Sequence, residues 1–256
     1  MKDIFTRLYE LNNERRSYAL CIVTHTEGSS PRKAGSKMIV FEDGTSEGTI
    51  GGGNIEKKII DECADIIKKG KPVKRIYNLE DNLEMLCGGS MEIYIEPVKR
   101  TPYLYIFGGG HIGRALAKYA PDMGFKVTVF DNRTEISSSF INTVDVVEGD
   151  YFESIDKTEF DDDTYIVIVT HKHLYDEDIL LRVIHKPHAY IGMIGSKAKV
   201  QTLKNRFLSE KLLEKTEIDK IDMPIGVPIA AETPAEIAIS ILAKLIDVKN
   251  LKLKNG

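Results

Sequence analysis

Four groups of residues have the types and spacing to do chemistry. Gly108-x-Gly110-x-x-Gly113 follows the apolar run YLYIF (103–107) and precedes a helical pattern, with Asp131 closing the next apolar run. In such a turn the first glycine permits the sharp bend, the second lets backbone approach a phosphate, and the third lets helix and strand pack closely. The helix start, with His111 as its first residue, offers free N–H groups to an anion. An aspartate like Asp131 usually receives a ribose hydroxyl and disfavours a 2′-phosphate; Arg133 beside it leaves the choice between NAD and NADP open. Second, Thr170-His171-Lys172-His173-Leu174-Tyr175-Asp176 follows YIVIVT (165–170). Its histidines and aspartate have the chemistry of acid/base groups or metal ligands, or form a solvated loop with Asp176 capping the next helix. Third, Met85-Leu86-Cys87-Gly88-Gly89 sets a thiol beside two glycines at a strand start, where backbone or ligand can come close. Fourth, Glu27-Gly28-Ser29-Ser30-Pro31-Arg32-Lys33 carries two hydroxyls and two cations, and Gly51-Gly52-Gly53 lies at a helix start. Both suit an anionic ligand, and both are also what a plain surface loop or tight turn would show. Ser196, after AYIGMIG, is a further anion seat or an N-cap.

The elements that must position these residues fall into two sets. Over 1–98 the pattern gives a short amphipathic helix with Ile4, Leu8 and Leu11 on one face, a strand at 18–26, a hairpin from 37, a helix at 55–69 ended by Gly70, and strands on either side of Cys87. Residues 99–102 read as a linker. From 103 to 256, short apolar runs at 103–107, 126–131, 144–148, 165–170 and 189–195 alternate with helices at 111–123, 176–185, 196–214 and 233–247. That alternation implies a parallel sheet covered by helices on both faces. The expected fold is therefore α/β, a C-terminal Rossmann-like domain (103–256) preceded by a smaller mixed α+β domain (1–98). In such sheets the carboxyl ends of the strands form the working edge, which places Gly108–Gly113 and 170–176 across one crevice. Thr233-Pro234-Ala235-Glu236 reads as a capping box.

The bulk composition bounds the function. Of 256 residues, 42% are hydrophobic and 29% charged, as in a globular protein, and the net charge of −4 argues against a sequence-independent grip on nucleic acid. No apolar run approaches the ~20 residues needed to span a bilayer, and the N-terminus is too charged for a signal peptide. Cys21, Cys63 and Cys87 make an odd count without zinc-like pairing, which suits free thiols in a reducing cytoplasm. Cys63 and Cys21 read as packing residues; Cys87 is the cysteine whose neighbours suggest access.

The segments HTEGSSPRKAGSKMIV, DGTSEGTIGGGNIE, MLCGGSMEIYIEP, YIFGGGHIGRALA, VFDNR, VTHKHLYDEDIL, YIGMIGSKAK and AAETPAEIAISILAKLI occur in this order across 18–247. Together they resemble the XdhC/CoxI family of xanthine dehydrogenase accessory factors. The resemblance implies a factor that binds the molybdenum cofactor (molybdopterin), promotes exchange of an oxo ligand for a terminal sulfido with sulfur from a cysteine desulfurase, and delivers the product to an apo-hydroxylase. It also implies a homodimer. Where many CoxI-type relatives carry a cysteine, this chain has Asn54, which leaves Cys87 as the remaining candidate thiol ligand. On this reading Ser29, Ser30, Arg32, Gly51, Gly52, Gly53 and Cys87 form one half of a cofactor cleft. Gly108, Gly110, His111, Gly113, Asp131, His171, His173 and Ser196 supply the rest, with Cys87 as the metal contact. The rival reading is an NAD(P)-dependent oxidoreductase with His171 or His173 as proton donor; a third is a redox-sensing scaffold that binds a nucleotide but no molybdenum.

Overall fold

Alternation of burial along Tyr18–Gly28 makes the first long strand a two-faced one: Ala19, Cys21 and Val23 are fully buried on one side, while Tyr18 and Leu20 turn to the other. The computed structural model describes residues 3–79, 89–142, 144–171 and 175–255. By contacts the chain divides into two compact units, residues 1–101 with 253–256, and residues 102–252.

The first unit is an antiparallel sheet between two helices. Its strands β1 (Tyr18–Gly28), β2 (Lys37–Phe41), β3 (Ser46–Gly48), β4 (Val73–Asn78) and β5 (Gly89–Val98) lie in the order β3-β2-β1-β5-β4. Helix α1 (Ile4–Leu11) covers one face through Ile4, Leu8 and Leu11, the stripe that the sequence shows. Helix α2 (Gly53–Lys69) covers the other through Ile55, Ile59, Cys63, Ile66 and Ile67. Each such buried aliphatic side chain contributes ~1.5–3 kcal/mol. Gly70 ends α2 in the left-handed conformation at φ 62°, with its N–H donating to the carbonyls of Ile66 and Ile67.

The second unit is a parallel sheet of β6 (Tyr103–Phe107), β7 (Lys126–Asp131), β8 (Asp145–Glu148), β9 (Thr164–Ile168) and β10 (Tyr190–Met193), ordered β10-β9-β6-β7-β8. Tyr105 and Phe107 of β6 pack into one core with α4 (Tyr151–Lys157), α5 (Asp176–Val183) and α6 (Lys197–Ser209). Leu104 and Ile106 pack into the other with α3 (His111–Tyr119) and α8 (Pro234–Asn255). Burial on both faces explains why β6, β9 and β10 read as continuous apolar runs, while β8 at the sheet edge is largely exposed.

Several boundaries depart from the sequence reading. The helix expected to reach 123 stops at Tyr119, because Pro121 cannot donate and turns the chain into a 3-10 segment, Pro121–Met123. The helix expected over 196–214 ends at Ser209; Lys211 takes a positive φ of 55° and Leu213 returns to the core. A separate turn, α7 (Lys215–Ile218), follows. α4 was not anticipated: seven residues are too few for a clear period, but Asp150 caps them by accepting from the N–H groups of Phe152 and Glu153, at 2.9 and 3.0 Å. The last helix carries its capping box as expected, Glu236 accepting from Thr233 N–H at 2.9 Å, and it runs on to Asn255.

Candidate functional site

In the second unit the strand order reverses between β6 and β9, since β7 follows on one side of β6 and β9 lies on the other. The crevice at such a switch point is where open α/β sheets bind ligands. The glycine turn leaves β6 at this point. Gly108 has φ 116°, and a Cβ there would stand 2.3 Å from the Val169 carbonyl oxygen, so the turn is pressed against the end of β9. At Gly113 a Cβ would stand 1.9 Å from the carbonyl oxygen of Gly108, so the third glycine is what lets α3 lie on β6. Gly110 differs: a Cβ there would meet nothing within 4 Å, so its backbone faces open space at a helix start with no side-chain cap. His111 is exposed in the first turn of that helix. This is the geometry of an anion seat made of backbone.

On the facing side of the crevice, Val169 N–H donates to the Phe107 carbonyl at 2.8 Å, and Thr170 and exposed His171 follow. Buried Asp176 does not cap its own helix. Its Oδ1 accepts from Thr170 N–H at 3.0 Å and from the Thr170 hydroxyl at 2.6 Å, drawing the two ends of the 170–176 segment together. Lys199 Nζ stands 3.9 Å from the other carboxylate oxygen. His173 lies outside the described residues.

Asp131, at the end of β7, has a fully buried side chain. It accepts from Gly109 N–H at 2.7 Å and from Arg133 through its backbone N–H at 3.0 Å, Nε at 2.7 Å and Nη2 at 2.8 Å. Burial acts to raise its pKa, but the bonds from Arg133 and Gly109 outweigh burial and hold it below the usual aspartate value. The buried Tyr151 hydroxyl is pushed well up, first by desolvation and then by the charge of Asp131.

In the first unit, antiparallel pairing brings the end of β1, the start of β2, the end of β3, the end of β4 and the start of β5 to one end of the sheet. The loops holding Ser29–Arg32 and Gly51–Gly53 therefore sit together. A Cβ on Gly51 would come within 2.8 Å of Pro31 Cγ, and one on Gly89 within 2.4 Å of the Ser29 carbonyl oxygen. Cys87, two residues before Gly89, lies outside the described residues. Ser30 donates to the Arg32 carbonyl at 3.1 Å. Arg32, Lys37, Arg7, Glu47 and Thr49 line a cavity of about 670 Å³ here. The three glycines have φ of 152°, 77° and 63°. Their turn is not an open phosphate cradle, because Glu56 folds back over it. Its Oε1 accepts from the Thr49 hydroxyl at 2.6 Å and from the N–H groups of Ile50, Gly51 and Gly52 at 2.9, 3.2 and 2.8 Å. Desolvation would raise the Glu56 pKa, but these bonds together lower it. Gly52 and Gly53 keep open space where a Cβ would be.

Ser196 serves as the N-cap of α6, its hydroxyl accepting from Lys199 N–H at 3.2 Å, two strand positions away from Gly108. Cys21 and Cys63 are buried with their Sγ atoms 3.8 Å apart, as packing residues. Among the described residues there is no cluster of three or more His, Cys, Asp or Glu that could hold a metal ion, and no helix long and apolar enough to cross a membrane. Sequence reasoning did not find the internal roles of Glu56, Arg133 and Asp176. Available signals were a glutamate one turn inside a glycine-led helix and the Asp-x-Arg spacing at a strand end.

A parallel-sheet unit of Rossmann type, with a glycine turn opening a helix at its switch point, and a helix-covered antiparallel sheet preceding it in the chain define a two-unit α/β protein. The chain belongs to the XdhC/CoxI family. Residues 104–245 match the XdhC Rossmann domain and residues 11–78 the XdhC and CoxI family. It is 33% identical to the uncharacterized protein YqeB of Escherichia coli K12 over 97% of this chain and 46% of that protein. It is 28% identical to a probable xanthine dehydrogenase component of Bacillus subtilis over 61% of this chain and 46% of that one. The chain thus spans about half the length of these two relatives. With the molybdenum cofactor insertion chaperone PaoD of E. coli it shares 20% identity over 90% of this chain and 83% of PaoD. A crystal structure from Bacillus halodurans, described as a xanthine dehydrogenase, shares the fold at TM-score 0.52 and 22% identity, over 98% of this chain and 96% of that one.

Proposed function

We propose that the chain is a maturation factor for a molybdenum hydroxylase such as xanthine dehydrogenase. It takes up the molybdenum cofactor as cargo, assists its sulfuration with sulfur from a partner cysteine desulfurase, and passes it to the apo-hydroxylase, acting as a cytoplasmic homodimer. The observation that carries this reading is the alignment with a relative named as a molybdenum cofactor insertion chaperone, over 90% of this chain. The geometry supports it in two ways, and residue chemistry adds a third. The cargo is an anionic pterin dithiolene with a phosphate, and the α3 start with open Gly110 suits a phosphate without side-chain charge. Arg32 and Lys37, in the first-unit cavity, add cations for an anionic ligand. By residue chemistry, Cys87 would give a soft thiolate for a transient contact to metal or sulfur, and His171 and His173 would handle protons. In this reading Gly52 and Gly53 form a wall that a ligand can approach closely, since the N–H groups of Ile50, Gly51 and Gly52 are held by Glu56. The test is anaerobic incubation with molybdenum cofactor, then gel filtration with metal and pterin analysis. Stoichiometric molybdenum in the protein peak is expected; a peak free of both molybdenum and pterin would overturn the reading.

A further inference from the structure

The fold of the second unit implies a dinucleotide, and its residues do not fit one. In a nucleotide-binding Rossmann unit the acid at the end of the second strand receives the ribose diol. A carboxylate offers about four acceptor sites, and the four bonds from Gly109 and Arg133 to Asp131 use them all. The arrangement is local. Asp131-Asn132-Arg133 folds into a turn in which the backbone N–H of Arg133 bonds the same carboxylate that its guanidinium grips in a fork. Because the Asp131 side chain is fully buried, a diol cannot approach it past the guanidinium. The neighbouring ground is also built over by the chain. A Cβ on Gly109 would stand 3.0 Å from Ile136 Cδ1 and 3.2 Å from Phe140 Cζ. That segment is tied down by Glu148, which accepts from the N–H groups of Glu135 and Ser137 at 3.0 and 2.8 Å.

We infer that Arg133 is a specificity-determining residue that closes this glycine loop to NAD-type dinucleotides, leaving it to anions whose adjoining group makes no demand on Asp131. A 2′-phosphate gains little here, since the guanidinium it would meet is charge-balanced by Asp131 and turns its fork toward that carboxylate. The inference is independent of the molybdenum reading: cargo binding can stand or fall without it.

The test uses the full chain as wild type, Arg133→Ala and Arg133→Lys, each checked for folding by circular dichroism and titrated with NADH and NADPH by fluorescence and calorimetry. Wild type is expected to bind both weakly. Removing a forked, charge-assisted bond from the competing side should tighten NADH by roughly 10–100-fold in Arg133→Ala. Arg133→Lys, which keeps charge but loses the fork, should gain less. A gain in affinity is a readout that mere damage to the loop does not produce. If Arg133→Ala does not fold, the smaller gain in Arg133→Lys carries the test. The inference is overturned if wild type binds NADH as tightly as the variants, if no folded variant gains, or if wild type binds NADPH tightly and loses it on substitution.

Discussion

Replacing Glu56 by alanine removes the acceptor on which one hydroxyl and three N–H groups converge, those of Thr49, Ile50, Gly51 and Gly52. A hydrogen bond to a charged group contributes ~1.5–3 kcal/mol, and a buried donor left without an acceptor costs ~1–3 kcal/mol. The four bonds share one oxygen and do not add, and water can reach the half-buried glycines, so the expected loss is ~2–4 kcal/mol. At roughly 2–4 °C per kcal/mol for a chain of this size, the melting temperature should fall by about 5–15 °C. Glu56→Gln keeps a neutral acceptor and should lose about half as much. The pH dependence has a definite sign. The folded-state pKa of Glu56 is lowered from the ordinary 4.5, so its ionic contribution is fully present above 4.5 and disappears as pH falls through the lower folded value. The gap between wild type and Glu56→Gln should therefore be constant near neutrality and narrow in acid. Thermal melts followed by circular dichroism across that range measure both effects. A melting temperature for Glu56→Ala within about 1 °C of wild type, or a gap indifferent to acid, would refute the claim that this carboxylate holds the glycine turn closed.

Three further outcomes are expected, two from the geometry and one from the proposed function. Gly113→Ala places a methyl 1.9 Å from a backbone oxygen and should cost ~3 kcal/mol or more, or yield insoluble protein, whereas Gly110→Ala points into open space and should leave the melt unchanged while weakening anion binding by calorimetry. Asp176→Ala strands the buried N–H and hydroxyl of Thr170 and should lower stability by ~2–4 kcal/mol in urea titrations. Under the proposed function, Cys87→Ala should abolish maturation of a molybdenum hydroxylase in cells, read as activity of the sulfurated enzyme; unimpaired maturation would favour a scaffold without thiol chemistry.

How much was legible in the chain follows from the range of each interaction. Strands such as β6 and β9 were readable because burial on both faces leaves unbroken apolar runs, and the helix on the first sheet because Ile55, Ile59, Cys63 and Ile66 repeat at helical spacing. The steric roles of Gly108 and Gly113 were legible because the motif states a close-packing requirement, and the contacts at both match it. Boundaries failed where a local event ended a periodic run, at Pro121 and at Lys211. The site was legible only as a set of residues. By itself the sequence determined which backbone segments can bend, which helices start uncapped and which side chains carry charge, since these depend on residue type and near neighbours. The tertiary structure decided which donors stay free. Glu56 and Arg133 each close a site from a short distance along the chain, but only the folded turn aims Glu56 at three N–H groups and Arg133 at Asp131. A hydrogen bond depends on direction and on ångströms, and residue spacing specifies neither.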